Sequence, residues 1–227
     1  MNNKLIYGFG INDADYVVQI RETLSGTGNL RKRKLVWMCP YYSRWVGMIK
    51  RGFSRRLKSK HKTYEHVSVC EEWKYFSSFR AWMETQNWEG LHLDNDILIK
   101  DNKVYSQDTC AFVPMHVNML LTKADGSRGK LPIGVGYKTK HKLMVNELKK
   151  PYFSRVSSDN KRKLLGYFET PDLAHKAWQL GKAIEIEKVI DWYAGQDCFR
   201  TDVAEALTQR VWQLRLDHVT DVETKDY

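Results

Sequence analysis

The sequence predicts an α+β fold, and three observations carry that prediction. Segments with apolar residues three and four apart, at 37–58, 71–85 and 170–193, are interspersed with short runs rich in β-branched and aromatic residues. Clusters of Gly, Asn, Asp and Ser punctuate the boundaries between them. In the C-terminal half, three strand-like runs precede one long helical pattern, the order expected of an antiparallel sheet packed on a helix.

At 227 residues the chain has room for one large domain or two small ones, each able to bury a core without covalent staples. Aromatic residues make up 12%, with 8 Trp and 12 Tyr, and this apolar area argues for an ordered chain. The formal net charge is +10, unevenly spread: Arg31 to Lys62 holds 12 Lys or Arg and no Asp or Glu. From Glu185 to Tyr227 acids outnumber bases. A basic tract followed by an acidic tail points to a polyanionic partner for the front half.

Cysteines stand at 39, 70, 110 and 198 without a CxxC pair or a close histidine, so no structural zinc is expected and the thiols read as reduced. No apolar run reaches the roughly 20 residues of a membrane span, and the start MNNKLIYGFG lacks an apolar leader core. The expectation is a soluble, cytoplasmic protein with no membrane partner.

In chain order, 4–9 reads as a short strand, followed by a turn and a second extended piece at 15–21. The segment LSGTGN, 24–29, reads as a loop. Residues 37–58 predict a helix starting near Pro40, with Tyr41, Trp45, Met48, Ile49 and Phe53 on one face. Beside that face, Arg44, Arg51, Arg55 and Lys58 fall at i, i+7, i+11 and i+14 and would form one stripe for phosphate contacts. A polar loop at 59–64 follows, then a helix over 71–85 burying Trp73, Phe76, Phe79 and Met83.

The segment 91–121, LHLDNDILIKDNKVYSQDTCAFVPMHVNMLL, predicts a strand over 91–99, a turn at 100–103, a strand at about 110–113 and a helix beginning near Pro114. Preceded by YGxGINDA at 7–14 and WxxFxxFxxW at 73–82, it resembles the HNH-endonuclease-like proteins of bacteriophages, in which a ββα finger clamps one divalent metal. The resemblance implies Mg²⁺ or Mn²⁺ held by Asp94, Asp96 and Asn118 if the site is active. The family's general-base histidine falls on Asn95, and an amide cannot take a proton from water at neutral pH. Three readings stay open. In one, Asp94 and Asp96 act with a metal-bound hydroxide, or His92 or His116 replaces the base. In another, the finger survives only as a DNA-docking scaffold. In the last, these residues merely flank a strand end and a helix.

Residues 133–194 predict three strands, IGVGYKT, PYFSRVSS and LLGYFET, then a long helix with Thr170 as N-cap, Pro171 in its first turn, and Ala174, Ala177, Trp178 and Ile184 facing the sheet. This segment resembles the APETALA2-type DNA-binding domain, whose sheet lies in the major groove. On that resemblance Lys138, Lys140, Arg155, Lys161, Arg162 and Lys163 would meet DNA, with Arg155 suited to gripping guanine. A last helix follows, with Val203, Leu207, Val211 and Leu214 in register.

The expected organisation is an HNH-like domain over 1–128, an APETALA2-like domain over 129–194, and a C-terminal helix with an acidic tail over 195–227. The expected function is double-stranded DNA binding, with metal-dependent cleavage or nicking; the alternative is a catalytically degenerate DNA-binding regulator or host-takeover factor. A reading of another class has the charged surface engage an acidic host protein.

Overall fold

Pro40 opens helix α1 (Pro40–Phe53), where its fixed φ suits the first turn and its missing N–H leaves no helical hydrogen bond unmade. The computed structural model describes residues 5–27, 31–121, 129–138, 149–158 and 161–227. The chain divides into two compact units, Met1–Phe112 and Val113–Tyr227. In the first, Tyr42, Trp45, Met48 and Ile49 of α1 are buried at helical spacing. The Trp45 indole N–H donates to the Trp73 carbonyl at 2.7 Å, satisfying the polar edge of a fully buried ring.

The expected helix over 37–58 is broken. α1 ends at Phe53, Ser54 is extended with ψ 106°, and a short helix α2 (Arg55–Lys60) restarts with Ser54 Oγ accepting from the Leu57 N–H at 3.3 Å. The expected helix over 71–85 is also broken, into a 3₁₀ turn (Glu72–Lys74), an extended Tyr75 and helix α3 (Phe76–Glu84). The cause lies far away in sequence. Ile11 bridges Tyr75 as a parallel partner, accepting from Phe76 N–H at 3.0 Å and donating to the Lys74 carbonyl at 2.8 Å. Asp13 then caps α3, accepting from the Ser77 N–H at 2.9 Å and its hydroxyl at 2.5 Å. Trp73, Phe76, Phe79 and Met83 are buried, as their spacing predicts.

The expected strand over 4–9 is instead a tight turn among the described residues, closed by an Ile6–Gly10 bridge with Tyr7 at φ 52° and Gly8 at φ 81°. Strand β1 (Gln19–Ser25) pairs antiparallel with β2 (Lys32–Met38), so the basic tract opens on a ribbon strand, and β1 runs into the first residues of the loop expected over 24–29. The charges of Arg33 and Lys34 sit among Leu35, Val36 and Trp37, which supply the β-branched and aromatic content of a strand.

In the 91–121 region, β4 (His92–Asp94) pairs with β6 (Ala111–Val113), while β5 (Val104–Tyr105) leaves to pair in parallel with β3 (Ser68–Val69). The strand expected over 91–99 therefore stops at Asp94, whose carboxylate turns back onto the following backbone. Helix α4 (Met115–Leu120) starts after Pro114.

In the second unit, β7 (Val135–Tyr137), β8 (Tyr152–Ser158) and β9 (Lys161–Phe168) form the expected three-stranded antiparallel sheet. Helix α5 (Pro171–Ala194) packs across it, with Thr170 Oγ1 accepting from the Leu173 N–H at 3.2 Å. Ala174 and Trp178 face the sheet as expected; Ile184 does not, being exposed while Ile186 is buried. Helix α6 (Thr201–Val219) lies along α5 and buries Val203, Leu207, Val211 and Leu214.

Candidate functional site

The acidic pair Asp94 and Asp96 is built by a strand end. Asp94 closes β4, and its Oδ1 accepts from the backbone N–H of Asp96 at 2.9 Å and of Ile97 at 2.8 Å. These bonds hold the carboxyl inward, where burial, and then repulsion from Asp96, push its pKa up to about 6. Asp94 and Asp96 are thus brought together. Carboxylate oxygens suit a hard divalent cation, and such an ion would relieve their repulsion. Among the described residues, no three His, Cys, Asp or Glu side chains gather to complete a ligand set.

Asn95 serves the fold through its side-chain amide nitrogen and its backbone carbonyl. Its Nδ2 donates to the Asn102 carbonyl at 3.1 Å, and Asn102 Nδ2 donates back to the Asn95 carbonyl at 2.5 Å. This reciprocal clasp closes the excursion between β4 and β5 and gives Asn95 a structural task. Nearby, Arg51 Nε donates to the Tyr105 hydroxyl at 2.7 Å. Burial raises the Tyr105 pKa and pushes the Cys110 thiol up to about 12, so both stay protonated at neutral pH.

Asn118 and His116 lie on α4 in the second unit. His116 sits 5.4 Å from the Trp192 ring and lines a cavity of about 340 Å³ with Glu185 and Lys188. His92 is exposed on β4.

The stripe of cations expected along one helix does not exist as a stripe, because the break at Ser54 redirects its second half. Arg44 donates to the Leu91 carbonyl at 3.1 Å, Arg51 to Tyr105, and Lys58 to the carbonyls of Glu65 and Val67 at 3.1 and 2.9 Å. These three serve loop closure inside the first unit. Arg55 is exposed, as are Arg56, Lys60 and Lys62.

The sheet of the second unit presents a different surface. Ser154 and Val156 of β8 point toward α5 and are buried, so the alternation of the strand turns Phe153 and Arg155 outward. Their cross-strand partners share that face: Tyr167 stands opposite Phe153, and Leu164 opposite Arg155. Arg162 and Lys138 belong to the same side. The Arg155 guanidinium lies 4.4 Å from the Phe153 ring centre, and the Lys138 ammonium 5.5 Å from that of Tyr167. The outer face is therefore a platform of cations laid over aromatic rings.

Lys163 departs from the expectation. It pairs across the sheet with the buried Val156 and reaches Glu185 of α5 at 4.0 Å, so it faces the helix and not the platform. Lys161 is exposed at the β8–β9 end. Lys140 lies outside the described residues.

Phe153 and Tyr167 were not among the residues the sequence singled out, although β8 parity with Arg155 contains the signal. Gly136 also joins this face. A Cβ there would stand 2.1 Å from the Phe153 ring, so the glycine lets the ring lie flat on the sheet. Among the described residues no helix is long and apolar enough to cross a membrane. Comparison of the chain with protein-family models, with curated proteins and with solved structures finds no match.

Proposed function

We propose that this protein binds double-stranded DNA, with the outer face of the β7–β8–β9 sheet as its principal contact. The observation that supports this reading most is the pairing of Lys138 and Arg155 with Tyr167 and Phe153 on one solvent-facing surface, with Arg162 beside them. Cations meet phosphates, and a guanidinium held flat by a ring can reach base edges with little loss of side-chain freedom. The net charge of +10 favours the same class of partner. The resemblance of residues 133–194 to APETALA2-type domains, carried by their sequence alone, points the same way.

The test is fluorescence anisotropy of the full chain with a labelled duplex of about 30 base pairs at roughly 100 mM salt. Replacing Lys138, Arg155 and Arg162 together by Gln should weaken binding at least about tenfold, since each phosphate contact contributes to affinity through counterion release. Unchanged affinity with the fold intact would reject the sheet as the contact.

A second reading, metal-dependent cleavage of the bound duplex, is favoured by the raised pKa of Asp94 beside Asp96. In that reading these two carboxylates hold Mg²⁺ or Mn²⁺, which supplies Lewis-acid stabilisation of the phosphate charge. Asn95, held by Asn102, contributes no proton transfer. Nicking of supercoiled plasmid by the full chain with either metal, lost in Asp94→Ala, is the expected result of this reading. No nicking with any divalent ion leaves a DNA-binding protein with a structural finger.

A further inference from the structure

The β1–β2 ribbon is exposed on both faces: every described residue from Ile20 to Trp37 is exposed, including Ile20, Leu24, Leu35, Val36 and Trp37. A two-stranded hairpin with no packed face is marginal in water, so such a ribbon is a contact element awaiting a surface. Its register sorts its charges. Arg21 pairs with Leu35 and Thr23 with Arg33, which places both arginines on one face. Glu22 pairs with Lys34 on the other face, where Lys32 shares the parity of Lys34.

One face thus carries two arginines and no acid, while the other carries two lysines partly neutralised by a glutamate opposite one of them. The arginine face also runs into a cavity of about 360 Å³ at the ribbon's root, lined by Gln19, Arg21, Met38, Tyr7 and Tyr42 among others. Seven-residue strands span about 23 Å, and a two-stranded ribbon is of a size that enters the major groove of a duplex.

We infer that the β1–β2 ribbon is a second duplex-DNA-gripping arm, and that its Arg21/Arg33 face is the one turned to the DNA. This rests on the proposed DNA-binding function and adds to it an element distinct from the sheet platform. Charge complementarity chooses duplex DNA over a second copy of the chain, because two arginine-bearing faces repel each other.

The test compares two double variants of the full chain, Arg21→Gln/Arg33→Gln and Lys32→Gln/Lys34→Gln, each removing two charges from exposed positions. Both are titrated against the labelled duplex over a salt series. The arginine pair should lose about tenfold or more in affinity, with a salt slope shallower by about 2, and the lysine pair should lose clearly less. Equal or reversed losses overturn the assignment of the face. Wild-type affinity in both variants, when the Lys138/Arg155/Arg162 variant is impaired, overturns the arm and leaves the DNA-binding reading standing. Absence of any wild-type binding defeats that underlying reading, and the arm with it. Sedimentation showing a dimer that the arginine variant loses would assign the ribbon to self-association and overturn the proposal.

Discussion

Gly134 lies against the indole of Trp178: a Cβ at this position would stand 2.0 Å from the ring, and the residue has φ +79°. Gly134→Ala should therefore destabilise the second unit by about 2 kcal/mol or more, from strained backbone and displaced packing, read as a lower urea midpoint. Asp94 makes a prediction in pH. Its folded pKa of about 6 lies above its ordinary 3.8, so the folded form binds the proton more tightly than the unfolded chain does. Its contribution is fully present below about pH 4 and is lost as pH rises through about 6, an effect on the order of 2–3 kcal/mol. Asp94→Asn keeps an oxygen for the Asp96 and Ile97 N–H groups and should flatten that dependence, making the variant the more stable protein at pH 8. Denaturant midpoints at pH 4, 6 and 8 check this, and parallel curves for the two proteins would refute it.

At the scale of elements, the sequence revealed what local chemistry controls and concealed what distant pairing controls. The Thr170–Pro171 start of α5, the three strands of the second unit and the buried faces of α3 and α6 follow from caps and periodicity within each segment. The breaks at Ser54 and Tyr75 do not: the aromatic spacing of 71–85 is continuous, and only the arrival of Ile11 and Asp13 from the N-terminal segment interrupts it. The β1–β2 ribbon was hidden because the basic tract was read for its charge and its partner and not for its strand content, although Leu35, Val36 and Trp37 favour a strand. The candidate site divides likewise. Asp94 and Asp96 were legible as a pair, whereas the clasp of Asn95 by Asn102 and the internal duties of Arg44, Arg51 and Lys58 depend on where loops return. Asp13→Ala should cost about 1 kcal/mol by uncapping α3, seen as a lower melting temperature with the sheet platform unaffected.

For the molecule as a whole, each unit combines a core of its own with an exposed basic surface: the ribbon and the Arg55–Lys62 segment in the first, the β7–β8–β9 platform in the second. Neither surface draws on the acidic C-terminal segment, whose α6 is committed to packing on α5. If these cations are arranged for the phosphates of a duplex, as proposed, the salt dependence of binding reveals it most directly. Anisotropy of the full chain with a labelled duplex between about 50 and 200 mM salt should give a log–log slope of about −3 or steeper, as expected when three or more phosphates are neutralised. A slope near zero, or no binding at about 100 mM salt, would contradict it.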